Sequence, residues 1–241
     1  MKKFFSLLHR ALLRILPYKK LVILLGLDSR NYKTYYKTLH FDSTQGISDG
    51  EVDGYKDESD HQKIVELVNH LFQVVPNPRT VLDIGCGTGR YLKQMMTVHP
   101  QCQYEGIDIS KEIVEKFTRV KLPGVPIHIL DIETDESFYI ANREKYDLIC
   151  LIGIIQVLSL KRINSIFEKI YAMCKPEGVF YIQFPIETEQ KKSSVGFKRY
   201  KIEELEAILK ETGFFILKSG ITPVLRDYAF VFGKRIPLCR S

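Results

Sequence analysis

Apolar positions along residues 79–235 follow two alternating rhythms. Short apolar runs, four to seven residues long, fall at 80–84, 104–107, 127–130, 146–152, 179–184, 214–218 and 228–233. Runs of that length bounded by Gly, Pro and polar residues predict strands. Between them lie segments with apolar residues three and four apart. These predict helices over 60–74, 88–98, from Ser110 to about Val120, over 160–173 and over 202–212, the last stopped by Gly213. The run at 146–152 is almost continuously apolar, as in a central strand covered on both faces. Repeated strand–helix units predict an α/β fold, a mostly parallel sheet with helices on both faces. Ligands of such sheets bind beyond the carboxyl ends of the strands, near the switch in strand order.

A different pattern precedes this region. Phe4, Phe5, Leu8, Leu12, Ile15 and Leu16 recur at helical spacing among Lys3, Arg10 and Arg14, and Pro17 ends the run. Residues 42–60 are acidic and Gly-containing, and read as a linker. The organisation expected is therefore a basic amphipathic arm at 1–40, a polar linker at 41–59 and one domain at 60–241. The apolar stretch of the arm is interrupted by Arg10 and Arg14, unlike a signal peptide. No run reaches the roughly 20 apolar residues that span a bilayer. Two readings stay open: an arm lying on an anionic membrane surface through residues 1–20, or a helical lid packed on the domain.

Composition and charge narrow the class. Of 241 residues, 45% are apolar and 27% charged, an ordinary globular balance. The net charge of +6 belongs to the arm, where nine Lys/Arg in residues 1–40 face Asp28 alone. The remainder is close to neutral, so no nucleic-acid-binding face is expected. Five cysteines (Cys86, Cys102, Cys150, Cys174 and Cys239) form no CxxC pair and no cluster with His. Neither a disulfide framework nor a metal site is expected, and a reducing, cytoplasmic setting fits best, with peripheral membrane association as the arm's alternative.

The candidate chemistry begins at Val81-Leu-Asp-Ile-Gly-Cys-Gly-Thr-Gly89. A strand runs into Gly85, Gly87 and Gly89, which let backbone approach a ligand closely. The third glycine of a dinucleotide fingerprint would fall at Arg90, and no G-K-[ST] follows. Asp83 before the loop would repel a pyrophosphate but suits an ammonium. Asp108 closes the second strand, where an acid accepts ribose hydroxyls. Asp131 follows the third. Three acids, each at the end of a different strand, predict a nucleoside-type site on one sheet edge.

These motifs, with Glu105-Gly-Ile-Asp-Ile-Ser110, Tyr146-Asp-Leu-Ile-Cys-Leu151 and Lys175-Pro-Glu-Gly178, resemble the class I S-adenosylmethionine-dependent methyltransferases over roughly residues 60–235. The resemblance implies a Rossmann-like seven-stranded sheet with its last strand antiparallel. It implies S-adenosylmethionine as cofactor. Asp83 and the loop Gly85, Cys86, Gly87 and Gly89 would hold its methionine part, Asp108 the ribose, and Ile109 would pack on the adenine. Asp131 would take the adenine amino group, with Ile132 against the ring.

The acceptor is less constrained. After the fourth strand stands Leu151-Ile-Gly-Ile-Ile-Gln156 rather than the [DN]-P-P-[YF] of amino-group methyltransferases acting on adenine or glutamine, and the leading expectation is an oxygen acceptor on a small molecule, sugar, cell-surface glycan or lipid-linked intermediate. Gln156 is the candidate acceptor-facing residue, and the competing reading is a turn residue bonded to backbone. Glu187 and residues 188–194 are a further candidate rim. His61 and His128 read as structural, Cys174 as a buried thiol, and Tyr55 approaches the cofactor only by loose analogy. A binding protein without transfer activity and a nicotinamide-dependent oxidoreductase are the rival classes. The intact acids disfavour the first, and Asp83 with Arg90 the second.

Overall fold

The computed structural model describes residues 58–158, 162–193 and 198–236. The arm, nearly all of the linker, Tyr55 and Cys239 lie outside the described residues.

Seven strands form one sheet: β1 Thr80–Ile84, β2 Gln103–Asp108, β3 Ile127–Ile129, β4 Tyr146–Ile152, β5 Cys174–Pro185, β6 Phe214–Ile221 and β7 Tyr228–Arg235. Their order is β3-β2-β1-β4-β5-β7-β6. Neighbours from β3 through β5 pair in parallel, whereas β7 is antiparallel to both β5 and β6. The order reverses between β1 and β4, so the carboxyl end of β1 opens at the switch point.

Alternation along the central strands divides the core in two. Leu82, Ile84, Ile149, Leu151, Phe180 and Ile182 face one side, packed against α5 (Ile163–Met173) and α6 (Ile202–Thr212) through Phe167, Ile170, Leu205 and Leu209. Val81, Leu148, Cys150 and Tyr181 face the other side. There they meet α1 (Glu58–Val74) and α2 (Arg90–Val98) through Val68, Leu71, Leu92 and Met95. With both faces covered, β1 and β4 are buried almost throughout. Each such Leu or Ile contributes about 1.5–3 kcal/mol by leaving water.

Several boundaries differ from the sequence pattern for physical reasons. The helix expected from 88 starts at Arg90, because Gly87 and Gly89 have φ of 52° and 79°. The helix after Ser110 is not regular: α3 comprises Lys111–Ile113, a π turn over Val114–Thr118, and Arg119–Lys121. A short helix, α4 (Ser137–Ala141), buries Phe138 and Tyr139 where no helix was expected. Strand β5 begins at Cys174, ahead of its apolar run at 179–184, through a bulge with Glu177 at φ 65° and a register shift opposite Tyr146 and Leu148. Strand β6 runs on to Ile221 because pairing with β7 carries it past its apolar run.

Candidate active site

The loop after β1 is held from several directions. Gly85 N and Cys86 N donate to Ile107 O at 2.7 and 2.9 Å, tying the loop to the end of β2. Gly87 N donates to Asp108 Oδ2 at 2.9 Å, and Ser110 N donates to Oδ1 of the same carboxylate at 2.8 Å. Ser110 Oγ in turn accepts from Ile113 N and caps α3. From α3, Thr118 Oγ1 donates to Gly87 O at 2.6 Å, and Lys121 Nζ reaches Thr88 Oγ1 at 3.4 Å. Gly85, at φ 76°, permits the tightest approach: a Cβ there would lie 2.5 Å from Ile154 Cγ2. Ile154 belongs to the segment leaving β4, so that segment lies across the glycine loop.

Two of the three acids meet. Asp83 and Asp108 are both buried, and each raises a question of charge. Burial pushes the Asp83 carboxyl up to about 7, and the neighbouring Asp108 pushes in the same direction. Among the described residues the Asp83 carboxyl has no hydrogen-bond or ion-pair partner. Asp108 is also raised by burial, against the opposing pull of the amides of Ser110, Gly87 and Ile109. Asp131 follows β3, which Leu130 N ties to Asp108 O at 3.0 Å. Its Oδ1 accepts from Glu133 N at 3.0 Å, fixing the turn into α4. Ile109 is half-buried. The side chain of Ile132 is buried in the core with Ile107 and Phe138, and that of Cys86 is buried against Gly106.

Gln156 lies in a 3-10 turn, Ile155–Val157, just past β4. It is 8% exposed. Its Nε2 donates to Gly153 O, and its Oε1 has no partner. Its backbone carbonyl accepts from Lys198 N at 3.0 Å, and Ile186 N donates to Asp227 O at 2.9 Å. The exits of β4 and β5 and the β6–β7 turn thus share one rim. Glu187 sits on that rim, bonded by Ser193 Oγ at 3.1 Å.

The remaining residues singled out by sequence fall elsewhere. His61 is exposed, and His128 Nε2 rests on Glu105 Oε2 at 3.3 Å, with its ring edge on Phe138. The Cys174 thiol is buried and pushed up to about 12, which removes it as a nucleophile. No group of three or more His, Cys, Asp or Glu among the described residues is placed to hold a metal ion. Two participants carried no sequence signal: Ile154, an apolar residue in an apolar run, and Thr118, a helical threonine.

The donor set suits a cationic nucleoside derivative. A buried, unpaired carboxylate fits an ammonium, whereas the space that a Cβ would take at Gly85 and Gly89 is filled by Ile154 and by Leu122 and Thr118, so those glycines serve the packing of the loop itself.

Comparison with known proteins follows the same lines. Residues 82–180 match the family model of a methyltransferase domain. A trans-aconitate 2-methyltransferase of Acidovorax sp. (strain JS42) is 31% identical over 134 residues, 55% of this chain and 48% of that protein. The chain spans about half the length of the first curated relatives it matches. Among solved structures, magnesium protoporphyrin IX methyltransferase from Synechocystis PCC 6803, with bound S-adenosylmethionine, superposes with a TM-score of 0.61 at 17% identity. That match covers 86% of this chain and 97% of the other. The Burkholderia thailandensis 1,6-didemethyltoxoflavin-N1-methyltransferase, with bound S-adenosylhomocysteine, gives 0.60 at 13% identity, covering 92% and 91%. At these identities the likeness is one of fold.

Proposed function

We propose, from the premise that residues 82–180 are a methyltransferase domain on the Rossmann-like fold of the S-adenosylmethionine-dependent class, that this chain transfers a methyl group from S-adenosylmethionine to an oxygen of a small molecule, sugar or glycan. The observation that carries the cofactor assignment is the Asp83 carboxylate, buried and unpaired at the switch point. An acid so placed is costly unless a ligand cation neutralises it.

Bound there, S-adenosylmethionine supplies a sulfonium methyl group open to in-line displacement. The chain's contribution is to bind and orient. Asp83 holds the ammonium, and the backbone of Gly85–Gly89 lies along the methionine part. Asp108 would take the ribose hydroxyls, the half-buried Ile109 would flank the adenine and Asp131 would receive its amino group, whereas the Ile132 side chain is turned into the core with Ile107 and Phe138. Orientation of two reactants in a near-attack geometry can contribute up to about 7–11 kcal/mol. Gln156 carries no titratable group, so it acts as a hydrogen-bonding residue toward the acceptor rather than as a base. The rim formed with Glu187 and the β6–β7 turn bounds the acceptor side.

An oxygen acceptor is supported by the sequence after β4, which lacks the [DN]-P-P-[YF] of enzymes that methylate the amino groups of adenine or glutamine. Residues 1–20 either close over the domain or bring it to an anionic membrane surface. Among the described residues no helix is long and apolar enough to cross a membrane. Flotation with anionic liposomes, full chain against a chain lacking residues 1–20, separates the two readings. Equal flotation refutes membrane docking.

The assignment of the cofactor is tested by calorimetric titration with S-adenosylhomocysteine, with NAD as comparison. Saturable binding of the first alone is expected. Absence of binding in a folded preparation, or preference for NAD, overturns the proposal.

A further inference from the structure

We infer that the Thr118 hydroxyl is a positioning group for the glycine loop, and that the π turn of α3 exists to deliver it there. The inference rests on the cofactor reading above. The Gly87 peptide groups are held from both ends. Gly87 N donates to Asp108 Oδ2 at 2.9 Å, and Gly87 O accepts from Thr118 Oγ1 at 2.6 Å. The hydroxyl also lies 3.4 Å from Ile113 O. A hydroxyl has a single proton to donate, and the shorter contact to Gly87 takes it.

The helix is shaped for this contact. Ser110, Val114, Thr118 and Leu122 are all buried, at four-residue spacing. In a regular α-helix each four-residue step drifts by about 40° around the axis, since a turn holds 3.6 residues. Three such steps would carry Leu122 off the face occupied by Ser110. The wider turn over Val114–Thr118 absorbs part of that drift. It leaves Thr118 against the loop and Leu122 against Gly89, where an added Cβ would meet Leu122 Cδ1 at 2.8 Å and Thr118 Cγ2 at 3.0 Å. Turns of this kind occur mostly as single turns inside α-helices, frequently at functional sites.

The consequence lies in the direction of one peptide. In a trans peptide the C=O and N–H point opposite ways. Capture of Gly87 O by Thr118 therefore also fixes the direction of Thr88 N–H. Gly87, at φ 52°, has the conformational freedom of glycine and cannot hold that peptide by itself. Without the hydroxyl, Gly87 O loses this partner and the peptide is held less firmly in the direction it has here.

The test separates the hydroxyl from the methyl group. Thr118→Val keeps the volume and removes the hydroxyl, and Thr118→Ser keeps the hydroxyl. Calorimetric titration with S-adenosylhomocysteine is expected to show about tenfold weaker binding for Thr118→Val, and binding within about threefold of the parent for Thr118→Ser. Melting curves of both check folding. Should Thr118→Val not fold, Thr118→Ser against Thr118→Ala makes the same comparison with the methyl absent from both. Unchanged binding by Thr118→Val, or Thr118→Ser weakened as much as the variant lacking the hydroxyl, overturns the inference and leaves the cofactor reading standing. A parent protein that melts cooperatively yet binds no S-adenosylhomocysteine overturns the cofactor reading itself.

Discussion

Replacing Asp83 with Asn opposes stability and binding in a way that can be measured. The folded protein holds the Asp83 proton up to about pH 7, whereas an ordinary aspartate releases it near 3.8. The unfolded chain therefore loses the proton first as pH rises. Stability falls across the window from about 4 to about 7, and the loss is complete above it. A tenfold change in proton affinity is about 1.4 kcal/mol, so the full loss is about 4 kcal/mol. Between pH 5 and pH 8, the part of the window open to a convenient experiment, it is about 3 kcal/mol. Asparagine has no proton to lose. The difference in unfolding free energy between Asp83→Asn and the parent, from urea denaturation without ligand, should thus move by about 3 kcal/mol toward the variant from pH 5 to pH 8. Ligand reverses the order. A carboxylate facing an ammonium binds it best when ionised, so affinity of the parent for S-adenosylhomocysteine should fall about tenfold for each pH unit below about 7. The variant should bind weakly at all pH values and show no such slope. A stability difference independent of pH would refute the claim that Asp83 is buried and uncompensated. A parent affinity flat across pH 5–7 would refute its role toward a cation.

The other expectations are local. Asp108→Ala should weaken S-adenosylhomocysteine binding by about 1.5–3 kcal/mol by calorimetry, since it removes a charged acceptor that also holds Gly87 N and Ser110 N. Gly85→Ala should abolish measurable binding, because φ 76° strains alanine and its Cβ would sit 2.5 Å from Ile154 Cγ2. Adding Ile154→Ala relieves the second cause and should restore binding in part. Gln156→Ala should keep S-adenosylhomocysteine affinity within about twofold while lowering methyl transfer to the true acceptor; full turnover would remove it from the site. Asp147→Ala should lower stability by about 3 kcal/mol in urea denaturation without changing ligand affinity. Its carboxylate accepts from Arg79 N, Thr80 N and Lys175 Nζ, away from the glycine loop though on the same sheet.

What the sequence discloses depends on how local the cause is. Strands β1 and β4 have the predicted bounds because both faces are covered and the apolar run itself is the strand. Helix α6 ends where Gly213 takes up φ 106°. Helix α4 escapes notice because five residues hold too few apolar positions to show a period; Asp135 Oδ1 accepts from Phe138 N at its start, and Phe138 and Tyr139 pack on the core. Strand β6 outruns its pattern because Ser219, Gly220 and Ile221 are held by the ladder to β7 rather than by burial. The site divides along the same line. Asp83, the three glycines and Asp108 are legible because each sits at a strand end, where chain order fixes spatial order. Thr118 is 31 residues from its partner Gly87, and nothing in its neighbourhood distinguishes it from any helical threonine.

That division follows from what each group must do. A residue facing the ligand, or turning the loop beside it, needs an unusual character, such as an acid without a counter-ion or a backbone without a Cβ, and unusual residues stand out in a sequence. A residue holding the first kind in place needs an ordinary hydroxyl or methyl group at one point in space, and this is specified by the fold alone. The unpaired acid makes the arrangement costly without ligand. Each loop peptide fixed in advance by Ile107, Asp108 or Thr118 is conformational entropy not lost again on binding. A chain that kept Asp83 but lost these supports would carry the destabilising charge without the ordered loop beside it. The supports should therefore tolerate fewer kinds of substitution than their ordinary residue types suggest.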